Sequence, residues 1–149
     1  MLPEDNKTII RAYVETIWNR QQIDRAGELV APDFLDHAAL PGQTLGLGGA
    51  KQKWAMYQTG IPDLHVTIED LVAEGDKVAA RRSYEGTHQG ELLGIPATGK
   101  RVQIGGISIF RLAGGKITEH WEQIDGLALM QQLGVFPAPA PKTEQAPSS

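Results

Sequence analysis

The fold of this chain is decided by the stretch RVQIGGISIFRLAGGKITEHWEQI, residues 101–124. Apolar and polar side chains alternate through residues 101–112 and again through residues 116–124, which is the two-residue rhythm of a β-strand with one buried face. Residues 113–115, Ala-Gly-Gly, interrupt the rhythm and supply the permissive backbone of a tight turn. The stretch therefore predicts two long antiparallel strands joined as a hairpin.

A second hairpin is predicted just upstream. Residues 64–70 alternate apolar with polar side chains, and Glu-Gly-Asp-Lys at residues 74–77 has the composition of a hairpin turn. Residues 78–88 form the returning strand. Residues 90–99 contain glycines and a proline, which predict a long loop between the two hairpins.

The N-terminal half has the periodicity of helices. Apolar side chains recur at three- and four-residue steps through residues 6–20, which predicts an amphipathic helix. Asp24 is a suitable cap for a short second helix that stops before Pro32. Residues 50–59 predict a third helix, on which Trp54 and Tyr57 share one face. The remaining predicted elements are a short extended segment at residues 34–39 and a final short helix at residues 126–133.

Helices that come first and antiparallel hairpins that come afterwards indicate an α+β fold. We expect a strongly curved sheet, closed on one side by the helices of the N-terminal half, with a cone-shaped cavity between them. The length of 149 residues fits one domain, which we assign to residues 1–136. Residues 137–149, PAPAPKTEQAPSS, have the composition of a disordered tail.

Composition excludes several classes of function. The chain has no cysteine, so disulfides, thiolate metal sites and cysteine nucleophiles are excluded. The net charge is −4 and the basic residues are scattered, so we expect no nucleic-acid partner. No apolar run approaches the roughly 20 residues that span a bilayer, and the polar start of the chain does not have the pattern of a signal peptide. We therefore expect no membrane partner and a cytoplasmic location.

Three segments together carry a resemblance to a known family. They are DFLDH at residues 33–37, GTHQGELLGIPATGK at residues 86–100, and ITEHW at residues 117–121 with Asp125 behind it. In these segments the chain resembles the SnoaL-like polyketide cyclases of the nuclear-transport-factor-2-like superfamily, over residues of about 6 to 134. The resemblance implies a curved mixed sheet packed on three helices and assembly into homodimers or larger homo-oligomers.

The resemblance also implies an acid/base carboxylate on the last strand, and by position Asp125 matches it. Trp121 lies four residues before Asp125, so the two side chains share a face of a regular strand. An aromatic wall desolvates a carboxylate and raises its pKa, which suits a base that removes a proton next to a carbonyl. The alternative is that Asp125 only caps the helix at residues 126–133.

The histidines occupy different positions along the predicted elements. We expect His37 to face inward, where it could donate to a substrate carbonyl, and His88 to lie at the mouth of the pocket. If Trp121 lines the cavity, His120 faces the other side of the sheet, where it could make a subunit contact; the two assignments are exchanged if the strand carries a bulge. His65 is expected to be exposed to solvent.

Other residues could also bind a substrate. Arg81 and Arg82 are adjacent on a strand, so one of them must face the concave side of the sheet; Arg81 is retained as a substrate-binding candidate. Trp54 and Tyr57 belong either to the core or to a lid over the cavity. The histidines show no paired metal-ligand spacing, and no phosphate-binding or dinucleotide-binding motif occurs, so we expect no metal and no cofactor.

These features favour a cofactor-independent acid/base enzyme of the aldol cyclase type. It would act on a hydrophobic carbonyl compound, small or polycyclic, with Asp125 as the proton shuttle. One alternative is a hydrolase or dehydratase of the same fold that uses the carboxylate to activate water. Another is a module without catalytic activity that binds a small molecule or mediates dimerisation.

Overall fold

The computed structural model describes residues 2–136 and confirms the α+β class. The tail predicted at residues 137–149 lies outside the described residues. No helix among residues 2–136 is long and apolar enough to cross a membrane. The elements are α1 (Pro3–Tyr13), a π-helical segment (Val14–Asn19), a 3₁₀ helix (Ile23–Glu28), β1 (Val30–Asp36), α2 (Gly46–Gly60), β2 (His65–Glu74), β3 (Lys77–Thr87), β4 (Arg101–Ala113), β5 (Lys116–Ile124) and α3 (Gly126–Leu133).

The five strands form one mixed sheet in the order β1-β5-β4-β3-β2. Strand β1 pairs with β5 in parallel, and the other neighbours are antiparallel, so both predicted hairpins are present. Helix α1 packs on β2 and β3, α2 packs on β1, and α3 packs on β4. The helices cover the concave face of the sheet, and the hydrophobic core fills the space between them. The outer face carries no helix among the described residues.

The first helix ends earlier than its periodicity predicts. Regular α-helix stops at Tyr13, and residues 14–19 continue with a wider π-helical turn. This turn places Trp18 directly beneath Tyr13, so the Trp18 indole Nε1 donates to the Tyr13 hydroxyl at 3.0 Å. Such turns are rare and often occur at functional sites. Here the wide turn aims Trp18 at the cavity described below.

The second helix is also shorter than predicted, because its last expected residues belong to a β-strand. The helix was expected to stop just before Pro32, but the 3₁₀ helix ends at Glu28 and β1 starts at Val30. Val30 pairs with Ile117 and is completely buried. Parallel pairing with β5 is a tertiary interaction, and it outweighs the weak local preference for a helix.

A β-bulge in β5 decides which side chains face the concave side. Leu112 of β4 pairs with Ile117, but the adjacent Arg111 pairs with Glu119, so Thr118 is an extra residue in β5. One inserted residue transfers every following side chain to the opposite face. His120, Glu122 and Ile124 consequently face the helices, and Trp121 faces outward.

Candidate active site

An apolar cavity lies between the concave face of the sheet and the helices. The space between its lining residues, including the part that is open to solvent, is about 490 Å³. Its aliphatic lining includes Ile61, Leu64, Leu92, Val102, Ile104 and Leu129, and its aromatic lining is Trp18, Tyr57 and Tyr84. Among the described residues that line it, Glu122 is the only carboxylate. A single acidic group in an apolar cavity is a strong candidate for chemistry.

The two oxygens of Glu122 have different surroundings. Oε2 accepts from Arg82 Nη2 at 2.7 Å, from the Tyr84 hydroxyl at 2.5 Å and lies 3.0 Å from Ser108 Oγ. No donor among residues 2–136 reaches Oε1. The carboxylate is therefore fixed by one oxygen, and its other oxygen is available to a bound molecule.

Glu122 is held in its ionised form. Burial favours the neutral carboxyl, but the charge of Arg82, the hydrogen bond from Tyr84 and the charge of Lys53 outweigh burial and lower the pKa of Glu122. Arg82 is itself 1% exposed, and its guanidinium carbon lies 5.2 Å from the Tyr84 ring centroid. The site thus contains a buried ion pair at the edge of an apolar cavity.

Two tyrosine hydroxyls stay protonated at neutral pH. Burial, together with the nearby charge of Glu122, raises the pKa of Tyr57 to about 12. Burial likewise raises the pKa of Tyr84, whose hydroxyl is occupied by Glu122. Tyr57 has no hydrogen-bond partner among the described residues, and its ring lies 6.0 Å from that of Trp18. The Tyr57 hydroxyl is a free donor in the cavity lining.

A chain of buried polar groups continues from Glu122 into the core. Ser108 Oγ lies 3.2 Å from His120 Nε2, and His120 Nδ1 lies 3.1 Å from Asp36 Oδ1. Lys53 Nζ donates to Asp36 Oδ2 at 3.2 Å. The pKa of Asp36 is lowered: burial opposes the shift, but the hydrogen bond from His120 and the charge of Lys53 outweigh it. Burial is the main cause that lowers the pKa of His120, so the imidazole is neutral at pH 7.

The order Asp36–His120–Ser108 has the connectivity of a hydrolase triad, but its environment does not suit a nucleophile. Ser108 is completely buried and does not line the cavity. Arg82 Nη2 also donates to its oxygen at 2.6 Å, which occupies a lone pair that attack would need. Within residues 2–136, no group of three His, Asp or Glu side chains is arranged as metal ligands would be.

Comparison with known proteins relates this geometry to a family. The model of the SnoaL-like polyketide cyclases matches residues 7–133. The chain belongs to the SnoaL-like polyketide cyclase family. It is 30% identical over 138 residues to the aklanonic acid methyl ester cyclase DnrD of Streptomyces peucetius, covering 90% of this chain and 93% of that protein. It is equally similar, at 30%, to the aklanonic acid methyl ester cyclase DauD of Streptomyces sp. strain C5, covering 90% and 84%.

The fold of this family member also matches solved structures. TsrD from Streptomyces laurentii superposes with a TM-score of 0.84 at 29% identity, covering 91% of this chain and 99% of TsrD. The family and the curved mixed sheet inferred from the sequence are therefore confirmed.

In this family member Asp125 lies outside the cavity, contrary to the expectation from strand parity. Its side chain is exposed, and its Oδ1 accepts from the Ala128 backbone N–H at 3.1 Å as the N-cap of α3. The parity argument was wrong because β5 ends at Ile124 and the bulge at Thr118 turns Trp121 outward. The structure thus gives Asp125 the capping role that the sequence left as the alternative.

Three other predicted site residues lie on the outer face of the sheet. Trp121 stacks on His37 with ring centroids 4.8 Å apart, and His37 Nε2 lies 2.6 Å from Glu119 Oε2. The expectation that His37 faces inward is therefore wrong. Arg81 pairs with exposed Asp70 at 2.7 Å and also faces outward, because Arg82 takes the concave side.

Two further candidates are buried away from the cavity. His88 is completely buried, and its Nδ1 lies 2.9 Å from Thr98 Oγ1, so it anchors the loop after β3 instead of lining the pocket mouth. Trp54 is a core residue packed edge-on against Tyr13 at 5.9 Å. Of the predicted site residues, only Tyr57 lines the cavity.

Sequence reasoning missed Glu122, Tyr84 and Trp18. Arg82 and Tyr84 share a parity on β3, so a buried arginine there called for a carboxylate on a neighbouring strand. Glu122 meets that requirement because the bulge in β5 turns its side chain to the concave face, and the alternating pattern alone does not reveal the bulge. Trp18 lies within the regular helix predicted at residues 6–20, and the π-helical turn that aims it at the cavity leaves no clear sequence signal.

Proposed function

We propose that this chain is a cofactor-independent acid/base cyclase that closes a ring by an intramolecular aldol reaction, with Glu122 as the base. The observation that carries the proposal is the free Oε1 of Glu122 in an apolar cavity, while Oε2 is held by donors. A fixed, ionised carboxylate facing an apolar cavity can remove a proton from a carbon next to a carbonyl.

The proposed step balances within the site. Glu122 Oε1 takes the proton, the C–H electrons form an enolate, and the enolate carbon attacks a second carbonyl of the same molecule. Protonated Glu122 no longer neutralises Arg82, so the buried positive charge stabilises the enolate and then the alkoxide. The alkoxide finally takes back a proton, which restores the Glu122 carboxylate.

Tyr57 is the proposed hydrogen-bond donor to the developing enolate oxygen. Its hydroxyl is free among the described residues, and its raised pKa keeps it protonated throughout the reaction. Trp18 cannot take this role, because its indole N–H already donates to Tyr13. A neutral donor in a water-poor cavity stabilises an oxyanion more strongly than a donor in water does.

The names of the relatives suggest a probe. DnrD and DauD are named as cyclases of aklanonic acid methyl ester. The cavity of this chain is lined mainly by aliphatic and aromatic side chains, which suits a hydrophobic carbonyl compound of that kind. We propose a substrate of this class and aklanonic acid methyl ester as the first compound to test.

The test compares two acidic residues that lie close in sequence. We expect Glu122→Gln to lower kcat for cyclisation of the ester at least about 100-fold, because the amide cannot accept the proton. Asp125→Asn keeps a capping oxygen and should retain most activity. Full activity of Glu122→Gln, or selective loss in Asp125→Asn with the fold intact, would overturn the assignment.

The same assay separates the alternatives that use water. A hydrolase or dehydratase would release the acid or an anhydro product instead of the ring-closed isomer, and mass spectrometry distinguishes these products. If the protein only binds the ester, the ester should raise the thermal midpoint of the protein and should itself be recovered without conversion. The cytoplasmic location stays a prediction, which cell fractionation would test.

We also propose that the chain forms a homodimer through the outer face of the sheet. Register pairing aligns Val72, Ala79, Ile109 and Trp121 in a row across four strands. Val72, Ile109 and the nearby Ile107 are exposed by 64%, 41% and 55%. A contiguous exposed apolar strip of this kind is typical of an interface.

Oligomeric state tests this proposal directly. We expect Ile107→Glu combined with Ile109→Glu to give a monomer in sedimentation equilibrium, because each charge would be buried without a partner. Leu45→Glu, at a loop residue that is 88% exposed, adds a charge away from the strip and should leave the dimer intact. A wild-type monomer, or a dimer that survives the double change, would contradict the proposal.

A further inference from the structure

The buried chain Ser108–His120–Asp36 lies directly behind Glu122 and takes no part in the proposed proton transfer. Ser108 is completely buried and His120 is 4% exposed. The chain links β4, β5 and β1, so three strands position it. Buried polar chains of this kind are costly to maintain unless every member is bonded, and each bond here is between 3.0 and 3.2 Å.

The hydrogens shared by Ser108, His120 and Asp36 can be placed in two arrangements. Arg82 is a donor only, so it occupies one lone pair of Ser108 Oγ, and the single hydroxyl hydrogen goes either to Glu122 or to His120. Asp36 is ionised, because its pKa is held well below the usual range by His120 and Lys53 against the effect of burial. His120 Nδ1 must therefore carry a hydrogen toward Asp36.

The protonation state of His120 then selects the arrangement. A neutral His120 has a bare Nε2, which accepts the Ser108 hydrogen, and Glu122 Oε2 keeps Arg82 and Tyr84 as its donors. A protonated His120 donates from Nε2 to Ser108, whose hydrogen turns to Glu122 as a third donor. The conversion takes one proton from solvent, which forms the Nε2–H bond of His120. The Ser108 hydroxyl only rotates, so no covalent bond of the protein breaks.

We propose that His120 and Asp36 are positioning residues that set the basicity of Glu122 through the hydroxyl of Ser108. This inference rests on the proposed role of Glu122 as the base. Neutral His120 leaves Glu122 with two donors and a stronger tendency to take a substrate proton. Protonated His120 adds a hydrogen bond and a positive charge, both of which stabilise the carboxylate and weaken it as a base.

The charged groups that face His120 within residues 2–136 belong to this arrangement. Asp36 faces it from β1, with Lys53 of α2 behind; Arg82 approaches from β3 and Glu122 from β5. Phe110 of β4 stacks on the ring at 4.8 Å. Burial and Arg82 disfavour the imidazolium, while Asp36 and Glu122 favour it, and the balance lowers the pKa of His120. The neutral, base-activating arrangement is thus the one present at pH 7.

The first experiment is the pH profile of kcat in the cyclisation assay. We expect wild-type kcat to fall as the pH falls through the pKa of His120, below about 6.5. Ser108→Ala removes the connecting hydroxyl, and the fall should move to lower pH by at least about half a unit. A merely structural role of Ser108 would lower kcat equally at every pH. An unmoved acidic limb would overturn the proposal.

A second experiment needs no substrate, so it remains decisive if the ester is not turned over. In protein with ¹⁵N-labelled histidine, NMR follows the His120 ring through a pH titration. We expect Glu122→Gln to lower the pKa of His120. When Ser108 is already replaced by Ala, the same substitution should lower this pKa by no more than about half as much. Equal shifts in both backgrounds would mean that charge alone couples the two groups, and the proposal would fail.

Asp36→Asn provides a further variant in case Ser108→Ala does not fold. It removes the charge that holds the hydrogen on Nδ1 while it keeps the shape of the side chain. We expect a lower His120 pKa in the same titration, and an acidic limb of kcat displaced to lower pH where the ester is turned over. Unchanged titration of His120 would exclude Asp36 from the positioning pair.

Discussion

Glu122 combines two properties that a base in a dry cavity needs. Its Oε2 is held by Arg82 and Tyr84, which fixes its direction and keeps it ionised, and its Oε1 accepts from no group among residues 2–136. The same donors that lower its pKa also become the positive environment for the anion that the reaction forms. One ion pair thus serves both the resting state and the transition state.

Tyr57 provides a test at the scale of a single hydroxyl. We expect Tyr57→Phe to lower kcat about 100-fold with little change in KM, because the donor to the enolate oxygen acts mainly in the transition state. The ring and its packing against Trp18 are retained, so the thermal midpoint should hardly change. Equal kcat in Tyr57→Phe and wild type would exclude the hydroxyl as the donor.

At the scale of elements, the bulge in β5 and the cap of α3 decide the roles of the acidic residues. The bulge at Thr118 turns Glu122 inward and Trp121 outward. Asp125 follows the end of the strand and starts the helix. Two acidic residues only three positions apart therefore have unrelated functions.

The cap of α3 can be tested by stability. Asp125→Ala removes the oxygen that accepts from the Ala128 N–H, and we expect a loss of about 1 kcal/mol in the free energy of unfolding. For a domain of this size the thermal midpoint should fall by about 3 °C. Asp125→Asn should lose less, since its amide oxygen can still accept. Unchanged stability of Asp125→Ala, measured in urea, would contradict the capping role.

Local sequence patterns predicted four of the five strands. Alternation predicted β3, β4 and β5 to within one residue at each end, and it predicted β2 without its last four residues, 71–74. It could not predict β1 from Val30, since that strand exists only through its partner β5. It also could not predict the bulge. In a regular strand Ile117 would share its face with Trp121, whereas with the bulge it shares the concave face with His120, and either side chain can be buried.

At the scale of the whole molecule, the buried polar groups make stability depend on pH. The pKa of His120 is lowered by burial, so the unfolded chain binds a proton below about pH 6.5 that the native protein does not bind. The unfolded state therefore gains protons first, and the free energy of unfolding falls as the pH falls. Asp36 and Glu122, whose pKa values are also lowered, add a further loss below about pH 4.

Urea denaturation at a series of pH values measures this dependence. We expect His120→Gln to abolish most of the decline between about pH 6.5 and about pH 5, whatever its stability at pH 7. His65→Gln changes an exposed histidine and should retain the decline. A decline of equal slope in His120→Gln and wild type would assign the effect to other groups.

The sequence by itself determined the α+β class and the two hairpins, because hydrophobic periodicity and turn residues are local properties, and the resemblance of three segments indicated the family. Only the tertiary structure decided which carboxylate enters the cavity. That choice depends on one extra residue in β5 and on the pairing of β5 with β1 and β4. A one-residue shift leaves the alternating pattern intact but exchanges the two faces of the strand, so Glu122 and Asp125 could be told apart only in three dimensions.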